Sequence, residues 1–115
     1  MNEPWQRFRY EATVVSVYDG DTVTLNIDVG FSTHRIEHCR LSRINAPELR
    51  GDSKPIGMAA RDYLRSLIPP GTTVFVQTIK DSQEKYGRYL AEIHCTAGCV
   101  NDLIVHAGHA EYKAY

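Results

Sequence analysis

Asp19, Gly20 and Asp21 form an acidic turn, and Asp21 continues the apolar row of Val23, Leu25 and Ile27 that follows it. A carboxylate on a core-facing row, at the end of a strand, must find a cation or a set of hydrogen-bond donors. The other reading is that Asp-Gly-Asp is turn chemistry with a solvated aspartate. An EF-hand calcium loop is excluded, because Val23 stands where another oxygen ligand belongs and the obligatory glycine is absent. Glu48 follows Pro47 directly, and Arg40 lies a few residues before Asn45. Taken singly, each is a surface charge. In combination, a hard cation on oxygen ligands, a free carboxylate and two arginines would suit phosphodiester cleavage. The ion and the guanidinium groups stabilise charge developing on phosphoryl oxygens, and the carboxylate takes a proton from water.

The elements that must position these groups follow one another closely, with no repeat, low-complexity stretch or linker. Residues 8–18, with Ala12, Val14, Val15 and Val17, read as a strand, and Asp19-Gly20 is a two-residue hairpin signal. Over 21–29 the alternation is clean, with Val23, Leu25, Ile27 and Val29 on one face. A turn at 30–33 leads to a third strand over about 34–43. The next stretch is a loop punctuated by Pro47, Gly51 and Pro55. Ile56, Ala59, Ala60, Tyr63, Leu64, Leu67 and Ile68 then recur at helical spacing until Pro69-Pro70-Gly71 stops them. Val74, Val76 and Thr78 make a fourth strand. A polar loop over 80–85 leads to a fifth, with Tyr89, Ala91, Ile93 and Cys95 on one face. Val100, Leu103, Ile104 and Ala107 form a short helix closed by Gly108. The order β-β-β-α-β-β-α predicts a mainly β fold with α (α+β): a five-stranded Greek-key barrel of the OB type with two helices. A split sheet with two packed helices would give a similar string, so pattern alone leaves both open.

At 115 residues the chain fits one domain over 1–115, and with 43% hydrophobic residues it needs no staples to build a core. Thirteen basic residues against fourteen acidic ones leave a net charge of −1. That balance excludes binding of a polyanion through bulk charge and any polyacidic tail. Cys39, Cys95 and Cys99 do not read as a disulfide framework but as small buried hydrophobes. A metal clip of His94, Cys95 and Cys99 is the alternative, though its spacing is wrong for a zinc knuckle. His38 and His94 read as strand-surface residues. No apolar run approaches the ~20 residues of a membrane span, and the first ten residues have no signal-peptide core. A soluble, cytoplasmic protein is the expectation, with secretion from a processed precursor left open.

Four blocks carry a resemblance. They are Asp19-Gly20-Asp21-Thr22-Val23; Arg40-Leu41 with Ile44-Asn45-Ala46-Pro47-Glu48; Lys85-Tyr86-Gly87-Arg88-Tyr89-Leu90-Ala91; and Val100-Asn101 with Gly108-His109-Ala110. In this order and spacing the chain resembles the staphylococcal nuclease (thermonuclease) family over nearly its whole length. The resemblance implies the OB-type barrel and a Ca²⁺-dependent nuclease that cleaves DNA or RNA at the P–O5′ bond, leaving 3′-phosphate ends. By position it implies that Asp21 and Asn45 bind the metal with the backbone carbonyl of Ala46, and that Asp19 lies near it through water. It also implies that Arg40 and Arg88 bind the scissile phosphate and that Glu48 is the general base or positions the attacking water.

Other residues are candidates for substrate contact. Arg50 and Lys54 could steer phosphates, and Tyr86, Tyr112 and Tyr115 could stack on bases, which would suit single-stranded nucleic acid. Asn45 departs from the family, which most often has a second carboxylate there, so weaker metal binding is expected. The best-known member continues into a further helix where this chain stops, so either the core closes without it or a partner, or a second copy in a homodimer, covers the gap. The rival reading is a weakly active or inactive module of the same fold that binds nucleic acid or protein.

Overall fold

The computed structural model describes residues 8–83 and 86–113, without the side chains of 80–83. Strand β1 (Arg9–Asp19) turns through Gly20 and Asp21 into β2 (Thr22–Gly30), which pairs antiparallel with β3 (Thr33–Leu41). A two-residue strand β4 (Ile44–Asn45) and a 3-10 turn at Gly51–Ser53 lead to helix α1 (Lys54–Leu67). Strand β5 (Thr73–Gln83) pairs with the free edge of β1, and β6 (Tyr89–Cys95) pairs with β5. The sheet closes where β6 runs parallel to β3, with Cys39, Arg40 and Leu41 opposite Tyr89, Leu90 and Ala91. The result is the five-stranded OB-type barrel. Strand β7 (Gly98–Cys99) hairpins onto β6, α2 (Val100–His106) follows, and β8 (Glu111–Tyr112) returns to pair with β4.

Alternation explains the long strands. Ala12, Val14 and Val17 of β1, Val23, Leu25 and Ile27 of β2, and Ala91 and Ile93 of β6 all point into one core with Leu64 and Ile68 from the α1 end. Three details differ from expectation. Strand β5 runs through the expected loop to Gln83, which pairs with Tyr89 beyond a register shift. The inner face of α1 is Gly57, Ala60 and Leu64, while Ile56 is exposed. Val15 is exposed, as alternation after the inward Val14 requires, whereas the register shift between Val14 and Ser16 breaks the alternation of β1, leaving Ser16 exposed and turning Val17 into the core.

Gly20 serves the fold differently from a positive-φ hairpin glycine. A Cβ there would lie 2.7 Å from the Ala46 Cβ and 2.8 Å from the Ala60 Cβ. Its missing side chain lets the β1–β2 turn, the β4 segment and α1 converge. Asn101, fully buried at the start of α2, ties the far side together. Its Oδ1 accepts from the Ile93 N–H (3.0 Å), and its Nδ2 donates to the Ser42 and Ala91 carbonyls (3.0 Å each). Asn101→Ala strands these buried backbone groups and is expected to cost roughly 3 kcal/mol or more. Urea denaturation checks this, and a loss well under 1 kcal/mol would contradict the bridge.

Candidate active site

Asp21 enters the protein interior at the mouth of the β1–β2 hairpin and is 5% exposed. Its Oδ2 accepts the Ala46 N–H at 2.8 Å and lies 3.2 Å from Arg40 Nη2. Its Oδ1 accepts the Thr22 hydroxyl at 3.3 Å. Asp19 closes the turn, its Oδ1 accepting the Asp21 N–H at 3.0 Å. Burial, and then the neighbouring Asp19 charge, push the Asp21 carboxyl up to about 6, against the opposing pull of Arg40 and Ala46. The site is short of positive charge.

That shift fixes the sign of a stability effect. The folded-state value lies above the unfolded 3.8, so the folded protein holds the Asp21 proton more tightly. Stability therefore falls as pH rises between about 4 and 6 and stays lowered above that range. Asp21→Asn mimics the protonated form and is expected to raise Tm at pH 7 by about 5 °C or more, each kcal/mol being worth roughly 4–8 °C in a domain near this size. Thermal melts of both proteins at pH 5 and 7 check this. A lower Tm for the variant at pH 7 would mean that Arg40 needs the charge more than burial penalises it.

Arg40 is also buried. Its Nη1 donates to the carbonyls of Leu41 (2.9 Å) and Ile44 (3.0 Å), and its Nη2 reaches Asn45 Oδ1 at 3.2 Å as well as Asp21. One guanidinium thus gathers the β3–β4 turn around Asp21. The turn is held from outside by Arg43, whose φ of 68° is unusual for a non-glycine residue. Arg43 pairs bidentately with Glu92 (2.7 and 2.8 Å) and reaches Asp102 at 3.2 Å.

Arg88, at the entry to β6, is only half-buried. Its Nη1 donates to Thr22 Oγ1 at 2.8 Å, and its guanidinium lies 5.3 Å from the centroid of the exposed Tyr86 ring. Thr22 thus relays Arg88 to Asp21, accepting from one and donating to the other. Glu48 is exposed and pairs with Arg50 at 3.0 Å. With Tyr18, Asp19 and Leu49 these two line an open cleft. The Glu48 backbone is set by Ser53, whose hydroxyl donates to the Glu48 carbonyl (3.1 Å), and by Gly57, where a Cβ would lie 2.3 Å from that oxygen.

The fold therefore joins Asp19, Asp21, Arg40, Asn45 and Ala46 by direct contacts, links Arg88 through Thr22, and places Glu48 and Arg50 in the cleft with Asp19. Lys54 is exposed at the first turn of α1. Tyr112 is engaged by the Asp102 carboxylate (2.8 Å), His106 and the Arg43 guanidinium. Tyr115 lies outside the described residues. Sequence reasoning missed Thr22, which alternation assigns to the outer face, and Tyr18. A signal for Gly57 existed, since a glycine inside a helical pattern costs about 1 kcal/mol against alanine and so points to a packing reason.

Of the cysteines, only Cys39 is fully buried, its thiol pushed up to about 12 by burial. Cys95 and Cys99 are half-buried, a correction to the expectation for these two, because they sit in the short β6–β7 hairpin at the edge of the sheet. Among the described residues no three His, Cys, Asp or Glu side chains cluster to hold a metal. The oxygen atoms at this turn that could hold a hard cation are those of the Asp21 and Asp19 carboxylates, the Asn45 amide and the Ala46 carbonyl. No helix among the described residues is long and apolar enough to cross a membrane.

A family model described as staphylococcal nuclease homologue matches residues 38–115, the span that holds Arg40, Asn45, Glu48 and Arg88. The chain is also 32% identical over 110 residues to endonuclease YhcR of Bacillus subtilis (strain 168), an alignment covering 88% of this chain. The chain spans only 9% of that relative's length. With the barrel, the buried Asp21 and the arginines in the matched span, this chain belongs to the staphylococcal nuclease family.

Proposed function

We propose that this chain is a Ca²⁺-dependent nuclease that hydrolyses the P–O5′ bond of DNA or RNA, with single strands favoured. The observation that carries the reading is the buried, charge-deficient Asp21 tied through Thr22 to Arg88, beside a cleft that exposes Glu48. The donor set fits Ca²⁺, a hard cation taking oxygen ligands. Two carboxylates repel one another across a site whose own arginine does not balance them. Asp21, Asn45 and the Ala46 carbonyl would hold the ion, with Asp19 through water. When bound, Ca²⁺ supplies neutralisation of charge on a phosphoryl oxygen.

The chain's own residues do the rest. Glu48 accepts a proton from the water that attacks phosphorus. The P–O5′ bond breaks, and the 5′ oxygen leaves with a proton from solvent. Arg88 donates to the equatorial oxygens as their charge grows. Arg40 holds Asp21 and Asn45 in place and adds its charge to the same face. Glu48 must leave Arg50 first, and an exposed pair of this kind is worth only about 0–1 kcal/mol. Arg50 and Lys54 steer backbone phosphates toward the cleft.

Asn45 favours the second reading, a weakly active module that binds nucleic acid, because it offers an amide oxygen already engaged by Arg40 where a charge would draw a cation. Asn45→Asp is expected to tighten Ca²⁺ binding about tenfold, a modest part of the nominal ~8 kcal/mol between one more unit charge and a divalent ion at 4 Å and an effective dielectric of 20, most of which desolvation offsets. Calorimetry checks it, with unchanged or weaker binding counting against the assigned metal position. Incubation with denatured DNA in Ca²⁺ and then in EGTA separates the two readings. Calcium-dependent cleavage supports the nuclease, and a gel shift without cleavage supports the binding module.

A further inference from the structure

Tyr18 stands immediately before the acidic turn, at the second of two irregularities in β1. Val17 faces Val23 and Asp19 faces Thr22, so Tyr18 has no opposite residue on β2. An extra residue in one strand bends it and re-aims its side chain, a device frequent beside active sites. The earlier irregularity, between Val14 and Ser16, has already turned Val17 inward, so Tyr18 next to it points out. The ring is 67% exposed and walls the cleft together with Asp19, Glu48, Leu49 and Arg50. Tyr86 is exposed too, and the Arg50 guanidinium lies in the neighbourhood of both phenol oxygens. A tyrosine so placed adds little to the core and presents a flat apolar face next to a phosphate-binding charge.

We propose that Tyr18 is a nucleobase platform, on which an unpaired base stacks while the adjoining backbone phosphate meets Arg50. The proposal rests on the nucleic-acid reading above and adds a subsite on the Asp19 side of the cleft. Stacking on an aromatic ring tolerates any base, because every base has a π face. A base inside a duplex has both faces covered by its neighbours, so the platform selects single strands. A phosphate seated on Arg50 competes with Glu48 for the same guanidinium at the Nε now 3.0 Å from Glu48 Oε2. Filling the subsite therefore draws Arg50 away from Glu48 and leaves that carboxylate open to water.

The test measures the Kd of a fluorescent oligo-dT single strand, with Ca²⁺ present, in a Glu48→Gln background where cleavage is slowed. Adding Tyr18→Ala is expected to weaken binding about 5- to 100-fold, the range of one lost base stack, and to leave duplex binding within about twofold. Tyr18→Phe keeps the affinity and Tyr18→Trp keeps or raises it, a gain that misfolding cannot produce. Single-strand binding unchanged in Tyr18→Ala, or as weak in Tyr18→Phe as in Tyr18→Ala, overturns the platform, as does absence of oligonucleotide binding by the parent. Ring-dependent binding by a chain that never cleaves in Ca²⁺ keeps the platform and removes the nuclease. Cleavage by the native sequence with affinity indifferent to residue 18 does the reverse.

Discussion

On the proposed mechanism Glu48→Gln is expected to lower kcat on denatured DNA by about 10²–10⁴-fold, the range for loss of a positioned general base, with Tm staying where it was. The separation of these two effects follows from how Glu48 is held. Its backbone is fixed by the Ser53 hydroxyl and by close approach to Gly57, neither of which involves the carboxylate. The side chain itself is exposed and bonded to Arg50, itself exposed. Glutamine keeps the shape and can still accept from Arg50, but it cannot take a proton from water. Steady-state kinetics and a thermal melt on one preparation settle the matter. Turnover near that of the parent would remove Glu48 from the proton transfer.

Arg88→Ala is expected to cost more, about 10³–10⁵ in kcat, the worth of an arginine that stabilises transition-state charge on phosphoryl oxygens. The 2.8 Å bond to Thr22 places this guanidinium, and its loss takes roughly 1 kcal/mol of stability as well. Arg88→Lys restores the charge without the planar fork, so it recovers only part of the rate. If the alanine variant turned over at even a tenth of the parent rate, the scissile phosphate would have to be held by another group. Arg40 is a poor probe of the same question. Its guanidinium is engaged by Asp21, Asn45 and two carbonyls, so removing it unravels the turn along with any phosphate contact.

The long elements were legible because each has a face that alternation or helical spacing marks. Val23, Leu25 and Ile27 announce β2, and Ala60, Leu64 and Ile68 announce the buried side of α1. What stayed hidden depends on pairing between distant residues. The β4–β8 ribbon joins Ile44 to Tyr112 and Asn45 to Glu111, two residues a side, too short to leave a period in the sequence. The first irregularity in β1 turns Val17 inward and Tyr18 outward, the second leaves Tyr18 without an opposite residue on β2, and no local residue type forecasts either. At the site, Asp21 showed itself as an acid on an apolar row, whereas Thr22 did not. A threonine on the outer row reads as solvated until Arg88 arrives from 66 residues away to cover it.

The seam between β3 and β6 has a bearing on when the chain can act. Among the described residues three pairs close the barrel there, and they unite segments some fifty positions apart, Leu41 with Ala91 at the far end. Such a closure carries a large loop entropy and belongs to the slow, non-local events of folding. Arg40 sits on one side of that seam and Arg88 enters on the other, so the full charge pattern exists only when the seam is shut. A growing chain that has emerged through β5 already carries Asp21, Arg40 and Glu48, yet lacks Arg88. On the reading of Arg88 as a phosphate-binding group, the pairing that closes the barrel also completes the site's positive charge.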